Sequence, residues 1–126
     1  MSADNIRQIT PFMHVADLKT AFDFFALLGF ECLYKEPGYG YFQRGPAGMR
    51  VLQSAEDDGA PFQPHRGFAY YVDVRDVDAI VAELRPKLEK AGIEFSGPRD
   101  QTWRQREFMI RAPDGNVFVF GQAIAT

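Results

Sequence analysis

The chain has 126 residues, enough for one compact domain and too few for two independent ones. Its composition is that of an ordinary soluble globular protein, with 46% hydrophobic residues, 25% charged residues and a net charge of −3. This mildly acidic balance argues against nucleic acid and anionic membranes as partners, because both require a basic patch. With no leader-like N-terminus and no membrane-length apolar run, the expected location is the cytoplasm.

The single cysteine limits the possible chemistry. Cys32 has no second cysteine to bond with, so an internal disulfide and a multi-cysteine metal site are excluded. It alternates with Phe30 and Tyr34 along a predicted strand, and we interpret it as a small, buried apolar side chain.

One supersecondary pattern occurs twice. Residues 9–36 comprise a strand, the sequence Val-Ala-Asp-Leu, an amphipathic helix and Leu-Gly-Phe-Glu at the start of a new strand. Residues 68–97 repeat this order with Val-Arg-Asp-Val and Ala-Gly-Ile-Glu. The repeat predicts a single domain (1–126) of two β-α-β-β-β modules, module 1 over about 8–54 and module 2 over about 67–122, joined by a linker over 55–66.

In the first module, the leading strand is predicted over residues 9–15. Asp17 can cap the helix that follows, and Gly29 stands where a helix C-cap belongs. Further strands are predicted over 30–35, 39–44 and 49–53, with a turn at 37–38 and a hairpin loop at 45–48. The apolar stripe of the helix comprises Leu18, Ala21, Phe22, Phe25 and Leu28.

The second module follows the same order. Its leading strand is predicted over 68–74, and Asp76 can cap its helix. Pro86 lies inside that helix and removes a backbone hydrogen bond, so we expect a kink or a break near Arg85. The predicted continuation is a strand over 93–95, a polar loop over 96–101, strands over 104–111 and 117–120, and a tight turn over 112–115.

These elements predict an α+β fold. A four-stranded sheet with one helix leaves its other face uncovered, so two such sheets placed side by side can curl around a shared cleft. We therefore expect a curled mixed sheet with both helices on the convex side and the ligand-binding residues on the concave side.

Nearly the whole chain, about residues 8–122, resembles the vicinal oxygen chelate superfamily. The resembling pieces are Val-Ala-Asp-Leu before an aromatic-rich helix, Leu-Gly-Phe, Gln-Arg-Gly at 43–45, Arg-Glu-Phe at 106–108 and Pro-Asp-Gly-Asn at 113–116. That group includes glyoxalase I, extradiol dioxygenases, fosfomycin-resistance enzymes and bleomycin-resistance proteins. Tyr-Phe-Gln-Arg-Gly at 41–45, with a tryptophan in the loop before Arg106, is most similar to the bleomycin-resistance branch.

The resemblance also bears on metal binding. Enzymes of the group hold a divalent metal with His, Gln or Glu from four strands, and the corresponding positions here are Thr10, Leu52, Phe68 and Val119. Three of these are hydrocarbon, whereas such metals take imidazole nitrogen and carboxylate oxygen. We therefore expect no metal, no other cofactor and no catalytic residue, and the sequence leans away from an enzyme.

Other reactive groups give no clear alternative. His65 is interpreted as a solvated linker residue and His14 as a cavity or core histidine rather than a metal ligand. The chain lacks a nucleophile elbow and a phosphate loop. Asp114 is interpreted as a turn former, and Glu107 as the partner of a neighbouring arginine.

Strand alternation identifies candidate cavity residues, and the bleomycin-resistance branch adds the loop tryptophan. Aromatic faces of this kind stack on planar rings and attract cations. For Phe12 and Phe68, a plain core role stays open. The candidate ligand-binding residues are Phe12, His14, Tyr39, Tyr41, Arg50, Phe68, Tyr70 and Trp103.

The leading hypothesis is a metal-free binding protein that sequesters a planar or cationic small molecule, possibly a bleomycin-type antibiotic. The resemblance also implies a homodimer whose clefts draw on both chains. One alternative is a metal-dependent lyase, isomerase or dioxygenase of the same fold. Another is a protein without a ligand, or an interaction module.

Overall fold

The computed structural model describes Asn5 and residues 7–54 and 69–124. The first module contains β1 (Phe12–Val15), α1 (Leu18–Leu27), β2 (Glu31–Glu36), β3 (Tyr39–Arg44) and β4 (Ala47–Gln53). The second contains β5 (Ala69–Asp73), α2 (Val77–Ala91), β6 (Phe95–Asp100), β7 (Gln105–Arg111) and β8 (Val117–Ala123).

Each module forms one mixed four-stranded sheet. The strand orders are β1-β4-β3-β2 and β5-β8-β7-β6. In both sheets the first and fourth strands are parallel and the other neighbours are antiparallel. The predicted α+β architecture of two tandem β-α-β-β-β modules is therefore confirmed. The strands form two separate open sheets rather than one continuous sheet.

The predicted helix starts are confirmed. The Asp17 carboxylate accepts a hydrogen bond from the backbone N–H of Thr20 over 3.1 Å, and Asp76 does the same for Ala79 over 3.1 Å. Each cap satisfies one of the N–H groups that a helix start leaves without an intrahelical partner.

The expected break near Arg85 does not occur, because α2 runs continuously through Pro86. The carbonyl that loses its partner is that of Ala82, four residues earlier. Both Ala82 and Pro86 are exposed, so water can replace the missing hydrogen bond.

Several strand bounds also differ from prediction; for example, β1 begins at Phe12 rather than residue 9, and β8 ends at Ala123 rather than residue 120. The hairpin between β3 and β4 turns at Gly45-Pro46, so β4 begins two residues earlier than expected. The predicted polar loop over 96–101 is mostly strand β6, which includes Gly97 and Pro98. This strand lies at the edge of its sheet, where a proline interrupts few ladder hydrogen bonds, and its pairing shifts register between Ser96 and Arg99.

One hydrophobic core joins the two modules. Phe24, which the predicted stripe of α1 omitted, is 2% exposed and packs on Phe118 of β8 with ring centroids 5.5 Å apart. Phe25 also contacts Phe118, at 5.7 Å. Since the helix-bearing sides of both sheets share this core, their helix-free faces point away from it.

Polar contacts reinforce the junction. Arg44 at the end of β3 donates to both carboxylate oxygens of Glu83 on α2, over 3.0 and 2.8 Å, and to the carbonyl of Leu28 over 2.8 Å. Fully buried Asn116, in the turn before β8, donates to the carbonyl of His14 over 3.1 Å. Asp114 accepts from the backbone N–H of Asn116, which fits its predicted role in the turn.

Two predictions fall partly or wholly outside this description. The predicted linker over 55–66, with His65, lies outside the described residues, as does Phe68.

Within the described ranges, neither helix is long and apolar enough to cross a membrane.

Candidate functional site

Five of the predicted ligand-binding residues lie on the helix-free face of the first sheet. Strand alternation places them there. On β1, buried Met13 lies between Phe12 and His14, and on β3, buried Gly40 lies between Tyr39 and Tyr41. Arg50 lies opposite Phe12 on the parallel neighbour β4. We call this group the aromatic face; it comprises Phe12, His14, Tyr39, Tyr41 and Arg50.

The side chains of the aromatic face contact one another. The ring of Phe12 lies 6.1 Å from that of His14 in a stacked arrangement and 6.4 Å from that of Tyr39. Arg50 Nη1 donates to the hydroxyl of Tyr39 over 2.6 Å, and its guanidinium lies 5.5 Å from the Tyr41 ring centroid. The structure therefore brings these five residues together as one surface.

Local sequence holds the aromatic face in place. The Tyr41 ring lies across Gly48 on β4, where a Cβ would overlap its hydroxyl. His14 Nδ1 lies 2.8 Å from the hydroxyl oxygen of Ser54. A glycine near the start of β4 and the serine directly after this strand thus contact two cavity candidates.

A β-bulge adds an aromatic residue that sequence reasoning missed. Simple alternation put Cys32 and Tyr34 on the same face, but β2 shifts register between them. Cys32 therefore lies opposite core residue Phe42 and is partly buried, whereas Tyr34 lies opposite Tyr41. The Tyr34 ring is 6.1 Å from Tyr39, at the border of the aromatic face.

Tyr70 lies apart from the aromatic face. Its ring packs 5.4 Å from core residue Phe118, and its hydroxyl donates to the carbonyl of Phe12 over 3.1 Å. Burial, with a smaller contribution from Asp114, raises the pKa of Tyr70 above its usual value. The sequence predicts that Tyr70 lines the cavity together with Phe68. Tyr70 lies instead on the core side of β5, and the next residue, Tyr71, lies on the helix-free face.

The repeat contains a signal that identifies Tyr71. When Val15 is aligned with Val74, Phe12 on the first strand of module 1 takes the position of Tyr71 on the first strand of module 2. The residue after Phe12 is buried, and the residue after Tyr71 is half-buried. The Tyr71 ring lies across Gly121 on β8, where a Cβ would overlap its hydroxyl. Each module thus has a tyrosine ring across a glycine of its fourth strand, from the third strand in the first module and from the first strand in the second.

Trp103 belongs to a second group of side chains, on the second sheet. It lies in the loop between β6 and β7 and is 61% exposed. Its indole Nε1 donates to Glu107 Oε2 over 3.0 Å, and the Tyr71 hydroxyl lies 3.0 Å from the same oxygen and 3.1 Å from Gln105 Oε1. We call Tyr71, Trp103 and Glu107 the Glu107 cluster.

The predicted partner of Glu107 was wrong. Among the described residues no arginine forms an ion pair with Glu107: Arg106 pairs with Asp78 and Asp100, and Arg111 pairs with Glu94. Desolvation, together with the hydrogen bond to Glu107 and its charge, raises the pKa of Tyr71 to about 12.

The family model of the Glyoxalase/Bleomycin resistance protein/Dioxygenase superfamily matches residues 6–120. The chain belongs to this superfamily. Comparison with curated proteins gives no significant match.

Solved structures with the same fold include binding proteins and an enzyme. A bleomycin-binding protein in complex with bleomycin is 19% identical, with a TM-score of 0.76 over 93% of this chain and 98% of the other. TnmS3, an antibiotic-binding protein from Streptomyces sp. CB03234, is 24% identical, with a TM-score of 0.69 over 96% and 99%. Lactoylglutathione lyase from Agrobacterium tumefaciens is 19% identical, with a TM-score of 0.69 over 94% and 96%. The resemblance to the bleomycin-resistance branch is thus confirmed as a likeness of fold.

The residues at the superfamily's metal-ligand positions do not fit a metal centre. Leu52 and Val119 offer only hydrocarbon. The strand register corrects one of these positions: Arg50 lies opposite Phe12 and Val119 opposite Tyr71, so the counterpart of Val119 in the first module is Arg50 rather than Leu52, and a cationic side chain does not bind a metal cation either. Among the described residues, no three His, Cys, Asp or Glu side chains come together as a ligand set.

Proposed function

We propose that this protein is a metal-free binder that sequesters a planar or cationic antibiotic-like molecule in an aromatic cleft at a homodimer interface. The observation that supports the proposal is the aromatic face. Its rings are gathered on the side of the sheet that the core does not use, and Phe12 is 50% exposed. A contiguous patch of exposed aromatic surface often marks an interaction site, because its contact with water is unfavourable.

The aromatic face suits a planar ligand. Phe12, Tyr39 and Tyr41 offer ring surfaces for offset stacking, and Arg50 is held near Tyr39 and Tyr41 as a hydrogen-bond donor. His14 lies 2.8 Å from the Ser54 hydroxyl, whereas the set of Phe12, Tyr39, Tyr41 and Arg50 supplies no nucleophile paired with a general base. Binding without bond making or breaking is the chemistry that this set supports.

A second chain would complete the cleft. The helix-free faces of the two sheets point away from the shared core, so one chain supplies separate walls rather than an enclosed cavity. An isologous dimer could place the aromatic face of one chain opposite the Glu107 cluster of the other. The names of two structural neighbours, a bleomycin-binding protein and an antibiotic-binding protein, support the same ligand class.

Titration with bleomycin-type and other planar antibiotics tests the proposal, with the fluorescence of the single tryptophan as readout. We expect saturable quenching that Phe12→Ala weakens at least fivefold. Ile9→Ala, which removes another exposed apolar side chain, should leave the affinity unchanged. Absence of quenching across a broad panel would contradict antibiotic sequestration and favour an interaction module or a fold without a ligand.

Metal analysis of the purified protein tests the enzymatic alternative. A stoichiometric, tightly held metal would overturn the metal-free proposal in favour of a lyase, isomerase or dioxygenase. Sedimentation velocity with and without ligand tests the dimer, since a monomer that binds with full affinity would show that a second chain is not needed.

A further inference from the structure

The repeat relates Arg44, the last residue of β3, to Ala112, directly after β7. Gln53 and Gln122 fix this correspondence, because each accepts a hydrogen bond from the first N–H of the helix in its module. The residues six positions before these glutamines are the backbone partners of Arg44 and Ala112, respectively. The second module therefore has a methyl group where the first has an arginine side chain.

On the helices, the repeat relates Glu83 to Phe24. Asp17 caps α1 and Asp76 caps α2, and Phe24 and Glu83 each stand seven residues after their cap. The ion pair of Arg44 with Glu83 in one half of the junction thus corresponds to an alanine and a phenylalanine in the other half. Since a short side chain replaces a long one, that half of the junction is less completely filled.

A cavity of about 300 Å³ lies at this half of the junction, and both Phe24 and Ala112 line it. Its volume is at the lower end of the range for small-molecule sites. The floor is well packed, because Met13, Phe24 and Ala112 are at most 3% exposed and belong to the hydrophobic core. We call this space the junction cavity.

Two carboxylates line the junction cavity, those of Asp17 and Asp114. Thr20, also in the lining, donates to Oδ2 of Asp17 through its backbone N–H, over 3.1 Å, and through its hydroxyl. Fully buried Asn116 donates to Oδ1 of Asp114 through its side chain, over 3.1 Å, and its backbone, over 3.2 Å. These bonds orient both carboxylates without neutralising them, and the other oxygen of each can accept from a ligand.

No cationic side chain is among the described residues that line the junction cavity. Nearby in sequence, Lys19 pairs with Asp23 over 3.7 Å and Arg111 with Glu94 over 3.4 Å. The partial positive charge at the start of α1 is already met by the carboxylate of its cap, Asp17. The lining thus combines apolar surface with two negative charges.

We propose that the junction cavity binds a small organic cation with a hydrocarbon body, such as an arylalkylamine. The ammonium group donates to the two carboxylates, and the hydrocarbon covers the apolar floor. An anion would be repelled, and a hard metal ion needs more oxygen ligands than two carboxylates supply. The cavity lies on the helix-bearing side of the sheets, so this site is separate from the aromatic face and goes beyond the proposed function.

The methyl signals of the methionines provide a direct test. Met13 lines the junction cavity, whereas Met109 lines a concavity on the second sheet, so 13C-methyl labelling of the four methionines reports where a ligand binds. The cationic probe is 2-phenylethylammonium, and the neutral control is 2-phenylethanol. We expect the cation to shift the Met13 signal saturably and to leave the Met109 signal unchanged. Met13→Leu assigns the signal.

Two substitutions remove the charges and keep the local structure. Asp17→Asn and Asp114→Asn retain a side-chain oxygen as acceptor for the helix cap and for the turn. Each should weaken binding of the cation roughly fivefold, because one charged partner of the ammonium is lost, and should change binding of the neutral probe much less.

Asp23→Asn is the matched control, because it removes the same charge from an exposed position of α1 outside the cavity. It should leave binding of the cation unchanged, and circular dichroism should show all variants folded. Equal affinity of the parent and both cavity variants would overturn the proposal. So would a Met13 signal that does not shift, or an equal loss in Asp23→Asn, which would indicate net charge alone.

Discussion

The side-chain oxygen of Gln53 accepts a hydrogen bond of 2.9 Å from the backbone N–H of Leu18, the first residue of α1. In the second module, Gln122 accepts from Val77, the first residue of α2, over 2.8 Å. Both glutamines come from the fourth strand of their module. The repeat thus extends to the hydrogen bond that ties each helix start to its sheet.

Removing this tie should destabilise the fold. Gln122→Ala leaves the N–H of buried Val77 without its acceptor, so we expect the free energy of unfolding to fall by about 1–2 kcal/mol. Gln122→Glu keeps an acceptor and adds a negative charge at a helix N-terminus, so it should retain most of the stability. Denaturant unfolding measures both, and equal stability of Gln122→Ala and the parent would contradict this role.

Gly121 should be required for the position of Tyr71. A methyl group at Gly121 overlaps the Tyr71 hydroxyl, so Gly121→Ala should displace the ring and change the indole signal of Trp103. The double variant Tyr71→Ala/Gly121→Ala removes the overlap and should be about as stable as Tyr71→Ala alone. Strict additivity in this double-mutant cycle, measured by thermal unfolding, would argue against the contact.

The raised pKa of Tyr71 predicts a pH dependence. An unfolded tyrosine titrates near 10, whereas Tyr71 titrates at about 12, so the neutral phenol stabilises the fold fully below pH 10. This contribution is lost as the pH rises from 10 to 12. The loss of stability in that window should be smaller in Tyr71→Phe. Spectrophotometric titration should show a lower Tyr71 pKa in Glu107→Gln, and an unchanged titration curve would count against the assigned contact.

Arg44 should stabilise the junction between modules. Its pairing with Glu83 is bidentate, but both side chains are 35% exposed, so solvent screening reduces the benefit. We expect Arg44→Ala to cost about 1–2 kcal/mol of unfolding free energy, partly because the Leu28 carbonyl loses a donor. Lys19→Ala, which breaks an exposed pair with Asp23, should have little effect. Similar losses in the two variants would refute a junction role.

Trp103 should matter for binding and not for folding. Since its indole is 61% exposed, Trp103→Ala should leave the fold intact. It should weaken ligand binding by about 1–3 kcal/mol, as measured by calorimetry. Unfolding of this variant would show instead that the indole is part of the core.

Features set by neighbouring residues could be predicted from the sequence. The repeat gave both modules, Asp17 and Asp76 marked both helix starts, and β3 has its predicted bounds at Tyr39 and Arg44. Alternation likewise brought Phe12 and His14 together on one face. These features depend on side-chain periodicity and capping, which are local properties of the chain.

Features that depend on distant partners could not be predicted this way. Which face of β5 meets the core was decided by Phe118, so Tyr71 rather than Tyr70 joined the helix-free face. Pairing with β7 made a strand of a segment that contains Gly97 and Pro98. A one-residue change in register reverses every side chain of a strand, and local sequence does not fix it.

The sequence by itself thus determined the two-module fold and an aromatic surface on the first sheet. Only the tertiary structure decided that Glu107 meets Tyr71 and Trp103 instead of an arginine. The physical reason is that Tyr71 and Glu107 lie 36 residues apart in the chain, and only sheet pairing brings the phenol and the indole to one carboxylate oxygen.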